Sequence, residues 1–176
     1  MFTLIVGGAA SGKSEYAENL ILQERHTSLF YLATMQAFDE ECRVRIERHR
    51  ALRAGKGFET LECPVGLHKI HLPIASAVLL ECIGNLVANE LYSSTGAGEM
   101  TLSAILEGVE SLRRQCETLV VVTNDVHSGA ACYEKETLRY MRLLGELNRA
   151  LAFRADDVCE VVCGIPCYYK RGGHIL

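Results

Sequence analysis

"IVGGAASGKSEYAENL", residues 5–20, decides how the rest of the chain is read. Gly7 is followed by four residues and then by Gly12, Lys13 and Ser14, the spacing of a phosphate-binding loop. Glycine tolerates unusual φ angles and close backbone approach, so successive N–H groups can wrap around a phosphate. The lysine reaches the β and γ oxygens, and the hydroxyl after it is placed to hold Mg²⁺. Both flanks fit this chemistry better than a chance glycine-rich turn. Phe2 to Val6 reads as a buried strand feeding the loop, and Glu15 to Gln23 as a helix leaving it. Such a helix points the positive end of its dipole at the anion.

Outward from the loop, strand-like runs recur at 2–6, 28–33, 77–81, 118–123 and 158–163. Most are apolar on both faces, as parallel strands covered by helices must be. Helical segments at 14–25, 38–53, 83–92, 100–116 and 134–153 alternate with them. The last carries Leu138, Met141, Leu144, Leu147 and Leu151 at steps of three and four. The expected fold is α/β and P-loop NTPase-like: a doubly wound, mostly parallel sheet flanked by helices, with ligands at the carboxyl ends of the strands. Without a repeat, a low-complexity tract or a linker, residues 1–176 read as a single domain. Residues 93–100 read as a loop and 53–57 as a turn.

A net charge of −4 argues against binding nucleic acid through bulk electrostatics. No apolar run approaches membrane-spanning length, and the apolar start is too short for a secretory signal, so the expected location is cytoplasmic. The eight cysteines contain no C-x-x-C pair. Cys159, Cys163 and Cys167 recur every four residues, but in a β-rich stretch broken by Gly164 and Pro166. That stretch reads as a buried strand and its exit. The cysteines are expected to be buried thiols in a reducing compartment, and no metal site is assigned to them.

A phosphate loop needs a second carboxylate for Mg²⁺, usually at the end of an apolar strand. Glu81 closes "AVLLE", and Asp125, just after "VVVT", competes for the role. A second constellation is "RVRIERHRALR" (43–53), in which Arg43, Arg45, Arg48, Arg50 and Arg53 surround His49. Arg45 and Arg53 lie four positions either side of His49, so the three can share a helix face. One reading is a solvated basic face. The other is a histidine kept neutral and nucleophilic by nearby cations, among guanidiniums that grip a triphosphate. His26, His68, His71 and His174 have no such company and read as surface residues.

"GGAASGKS", "FYLATMQAFDEE", "RIERHR", "LLECIGNLVAN" and "VTND", in this order, resemble the bifunctional adenosylcobinamide kinase/adenosylcobinamide-phosphate guanylyltransferase family of cobalamin biosynthesis. The similarity continues through "GELNRALAFRADDV" and "VVCGIP". The resemblance implies phosphorylation of adenosylcobinamide with ATP or GTP. Transfer of GMP from GTP to adenosylcobinamide phosphate would follow, through a guanylylated histidine at His49. It also implies nucleotide contacts from Gly7, Gly8, Ala9, Ala10, Ser11, Gly12, Lys13 and Ser14, from Ala33, Thr34 and Met35, from Arg50, Ala51, Leu52 and Arg53, and from Glu62 and Glu81. Lys13 would share the catalysis with His49, Ser14 and Glu81 would hold Mg²⁺, and the assembly would be a homotrimer. The chain departs from the family pattern at Ala10, usually basic, at Phe58, usually Trp, and at His127, usually Gly.

Two other functions are compatible with the loop alone: a small-molecule kinase without guanylyl transfer, and a nucleotide-dependent switch. An N-K-x-D guanine motif is missing, and a switch has no use for a histidine among five arginines.

Overall fold

In the computed structural model of the chain the described residues are 1–24, 26–37, 39–73, 75–125 and 133–176, with residue 52 described by its backbone alone. Val126, His127 and Cys132 of the sequence reading, and the helix-end positions Arg25 and Phe38, lie outside them. The strands are β1 (Phe2–Gly7), β2 (Ser28–Ala33), β3 (Phe58–Glu62), β4 (Ser76–Glu81), β5 (Thr118–Asn124), β6 (Asp157–Val162), β7 (Ile165–Arg171) and β8 (His174–Ile175). The helices are α1 (Lys13–Leu22), α2 (Glu40–Arg53), α3 (Ile83–Tyr92), α4 (Thr101–Gln115) and α5 (Lys135–Arg154). They assemble into one eight-stranded sheet of order β3-β2-β4-β5-β1-β6-β7-β8. The first six in that order are parallel and the last two antiparallel. This is a doubly wound, P-loop NTPase-like α/β fold.

Alternation along the strands divides the core into two layers. Phe2, Leu4, Phe30, Leu32, Val78 and Leu80 pack toward α3, α4 and α5. Ile5, Tyr31, Ala77, Leu79, Val120 and Val122 pack toward Ala17 and Ile21 of α1. Among the described residues, no side chain of helix α2 belongs to either layer. Its cap is conventional, the Asp39 carboxylate accepting from Cys42 N at 2.7 Å. Arg53 is its one buried side chain among the described residues, 7% exposed.

Three strands escaped the sequence reading. β3 is an edge strand, "FETLE", whose two glutamates face water, so it lacks the continuous apolar run that marked the others. β7 and β8 form the antiparallel margin. The supposed exit after β6 is in fact a two-residue hairpin turn, with Cys163 at φ 50° and Gly164 at φ 80°. That turn also corrects the expectation for the cysteines. Cys63 and Cys159 are buried, Cys42, Cys82 and Cys116 partly so, but Cys163 and Cys167 are exposed at the margin. His26 is a second correction. Its side chain is 4% exposed and lies 3.2 Å from Glu24, with Glu117 on its other side. Among the described residues no helix is long and apolar enough to cross a membrane.

Candidate active site at the carboxyl ends of the strands

The loop between β1 and α1 has the geometry its spacing requires. Gly12 caps α1 at φ 90°, a conformation a side chain would strain. A Cβ on Gly7 would fall 2.5 Å from Ser11 Oγ and 2.9 Å from the Val161 carbonyl, so only glycine lets the loop close over the strand end. Gly8, Ala9 and Ala10 form the exposed tip, and Ala10 adopts a left-handed φ of 55°. From behind, the β6–β7 turn braces the loop, Gly164 N donating to Ser11 O at 2.8 Å. Lys13 folds back over the loop and donates to Gly8 O at 2.9 Å.

Ser14, the first-turn hydroxyl, donates to Oε1 of Glu81. Of the two carboxylates that the sequence offered, Glu81 is thus in hydrogen-bond contact with the loop's hydroxyl. β5 lies between β1 and β4, but α1 leaves the loop across β5 and β4, which sets Ser14 beside the end of β4. Glu81 is 9% exposed, not a solvated strand end, and its Oε2 accepts from the Tyr31 hydroxyl at 3.0 Å. A hydroxyl and a carboxylate side by side at a phosphate loop are hard oxygen donors of the kind Mg²⁺ takes, so the residues present fit that ion.

Tyr31 is a residue at this site that the sequence reading did not single out. It is 4% exposed, and its hydroxyl pKa is raised, mainly by burial and then by the Glu81 charge. The guanidinium carbon of Arg53 lies 3.4 Å above its ring centroid, while Arg53 Nε and Nη1 are buried without a hydrogen-bond partner. The end of α2 is therefore fastened to the sheet through a cation–π contact. A second fastening follows at once: Lys56, just past α2, pairs at 2.5 Å with Glu18 of α1, whose side chain is 4% exposed.

The remaining predicted contacts sit on the same rim. Glu62 and Glu81 flank Ala33 in register, one on each side of β2. Arg50 Nη2 donates to Glu62 Oε1 at 2.8 Å, an exposed pair of small energetic weight. Thr34 is fully buried, and its hydroxyl is spent on the chain, meeting the carbonyls of Glu81 and Cys82 at 3.0 and 2.9 Å. It stitches the end of β2 to the end of β4. Met35 is half-buried beside it and Ala51 is exposed on α2. Leu52 is described by backbone only. A depression of about 440 Å³ lies between Arg50, Arg53, Gly55, Phe58 and Thr60. His49 is half-buried, one turn before Arg53, and no hydrogen bond joins it to the loop among the described residues. Lys13, Ser14 and Glu81 are thus assembled, whereas His49 is attached to them only through its helix.

The sequence profile described as "Cobinamide kinase / cobinamide phosphate guanyltransferase" matches residues 3–168. The bifunctional adenosylcobalamin biosynthesis protein CobU of Escherichia coli is 34% identical over 184 residues, covering 97% of this chain and 100% of that one. CobP of Pseudomonas aeruginosa, which carries the same description, is 34% identical over 176 residues, covering 97% of this chain and 98% of that one. Among solved structures, a KaiC-like protein of Pyrococcus horikoshii aligns with a TM-score of 0.49 at 11% identity, covering 90% of this chain and 71% of that one.

Proposed function

The chain belongs to the cobinamide kinase / cobinamide phosphate guanyltransferase family, and from that premise we propose two successive reactions on one domain. In the first, the aminopropanol hydroxyl of adenosylcobinamide attacks the γ-phosphorus of ATP or GTP. An O–P bond forms, the bond to the β,γ-bridging oxygen breaks, and the hydroxyl proton leaves to solvent. In the second, a ring nitrogen of His49 attacks the α-phosphorus of GTP and pyrophosphate departs. The phosphate of adenosylcobinamide phosphate then attacks the same phosphorus and breaks the N–P bond. The products are adenosylcobinamide-GDP and free imidazole.

The observation that carries this reading is the contact of Ser14 with Glu81 at the loop that carries Lys13, with the helix of His49 anchored beside it through Arg53 on Tyr31. Lys13 offsets charge on the β and γ oxygens, and the loop amides hold the phosphates in line. Ser14 and Glu81 would hold Mg²⁺, which when bound neutralises charge on the transferring phosphate. Arg50 and Arg53, with the depression they border, supply cations and space for the rest of the nucleotide. The proposal includes a cytoplasmic homotrimer that acts on small molecules and not on nucleic acid; sedimentation of the purified protein tests the trimer.

The deciding experiment is incubation with α-labelled and γ-labelled GTP, with and without adenosylcobinamide. Label from the α position should appear covalently on the protein, and γ-label on the corrinoid. Transfer of γ-label alone would leave a kinase, and binding without transfer would leave a switch.

A further inference from the structure

We propose that Tyr31 is a positioning residue of the phosphate site, holding the Glu81 carboxylate so that Oε1 stays at Ser14. The inference rests on the reading of Ser14 and Glu81 as the Mg²⁺ ligands.

The terminal torsion of a glutamate is soft and roughly two-fold, so a carboxylate at a strand end has no orientation of its own. Here each oxygen has a separate donor. Ser14 reaches Oε1 and the Tyr31 hydroxyl reaches Oε2 at 3.0 Å. With Oε2 engaged from the β2 side, Oε1 remains directed at the loop. Tyr31 can impose this because it is held from both sides. The Arg53 guanidinium stands 3.4 Å over its ring, and the Phe58 ring meets it edge-on at 6.5 Å and 80°. A buried carboxylate also needs compensating donors, and the phenol supplies one without the charge that would compete with a cation. The same ring therefore touches the basic helix on its face and the phosphate-site carboxylate at its hydroxyl. A tyrosine that merely filled the core beneath α1 would need no hydroxyl there.

Tyr31→Phe removes that hydroxyl and leaves the ring under Arg53. The test is titration of the purified protein with a fluorescent GDP analogue, first without Mg²⁺ and then at increasing Mg²⁺, comparing parent, Tyr31→Phe and Glu81→Gln. In Tyr31→Phe the Mg²⁺-free affinity should stay within about twofold of the parent, since the loop amides and Lys13 are untouched. The Mg²⁺ concentration giving half of the metal-dependent tightening should rise about tenfold or more, the loss usual when the group orienting a metal ligand is removed. The Mg²⁺ dependence of phosphoryl transfer should shift in parallel, with kcat at saturating Mg²⁺ largely retained. A shift in Glu81→Gln with none in Tyr31→Phe overturns the role of Tyr31 alone. A Tyr31→Phe variant that loses Mg²⁺-free affinity to the same degree shows a general prop and also overturns it. No shift in Glu81→Gln means the carboxylate is not a metal ligand, and the proposal falls with that reading.

Discussion

The guanidinium carbon of Arg53 lies 3.4 Å above the centroid of the Tyr31 ring, and the hydroxyl of that same tyrosine donates to Glu81. The basic helix and the phosphate loop thereby share one buried residue. Disturbance at either end of this chain of contacts should be felt at the other, whereas residues 40–50 of α2 can change with little effect on the core.

Lys13→Ala should lower phosphoryl transfer by about 10²–10³-fold, the usual loss when one positioned donor to developing charge is removed. The side chain is only half-buried and bonds one loop carbonyl, so the variant should fold as the parent does. Steady-state transfer from γ-labelled nucleotide, beside a urea unfolding curve, checks both halves. Near-parental turnover would remove Lys13 from the catalytic set.

His49→Ala should abolish covalent label from α-labelled GTP and all guanylyl transfer, yet leave phosphorylation of adenosylcobinamide measurable. The loop is untouched, and the half-buried side chain of residue 49 is part of neither core layer. In the parent the label should survive alkali and be lost in acid, because an N–P bond to imidazole is acid-labile. Acid-stable label in the parent, or undiminished label in the variant, would return α2 to a solvated basic face.

Burial pushes the thiols of Cys63, Cys116 and Cys159 up to about 11 from an ordinary 9.0. In the unfolded chain these groups ionise first, so their contribution to stability is complete below about pH 9. It is lost as the pH rises through about 11. The partly buried hydroxyl of Tyr140, raised mainly by desolvation to about 12, acts in the same direction. Urea midpoints should therefore fall steadily across that window. At neutral pH, peptide-mapped alkylation should modify the exposed Cys163 and Cys167 ahead of Cys63 and Cys159. A flat midpoint from pH 9 to 11 would contradict the assignment.

Gly108→Ala should destabilise the fold by about 1–3 kcal/mol through overpacking, although alanine favours a helix. Its Cβ would lie 2.4 Å from Leu67 Cβ and 3.4 Å from His68 N, and no rotamer change moves a Cβ. The urea midpoint measures the cost. A value at or above the parent's would show that the turn at Leu67–Lys69 yields freely.

The phosphate loop and the central parallel strands were legible in the sequence because their signals are local. Gly7, Gly12, Lys13 and Ser14 are close in the chain, and a strand buried on both faces must be apolar at nearly every position, as β1, β4 and β5 are. The strands at the margins of the sheet carried no such signal. β3 exposes its glutamates, and β7 alternates exposed with half-buried residues, so neither needs a continuous apolar run.

What the tertiary structure alone decided is which distant residues meet. Glu81 was read from the sequence as the carboxylate, with Asp125 as its competitor; the contact of Glu81 with Ser14 came from the packing of α1 across β5 and β4. Tyr31 looked like one more apolar position of "SLFYLA" until the pairing of β2 with β4 set its hydroxyl beside Glu81. Arg53 was one of five arginines within residues 43–53 and is the buried one of those five in the fold. Local propensity and burial pattern are written residue by residue, but strand order and register depend on how separated segments pack together. The loop and its carboxylate were therefore readable from the chain, while the contacts of Tyr31 with Arg53 and Glu81 emerged only when the sheet closed.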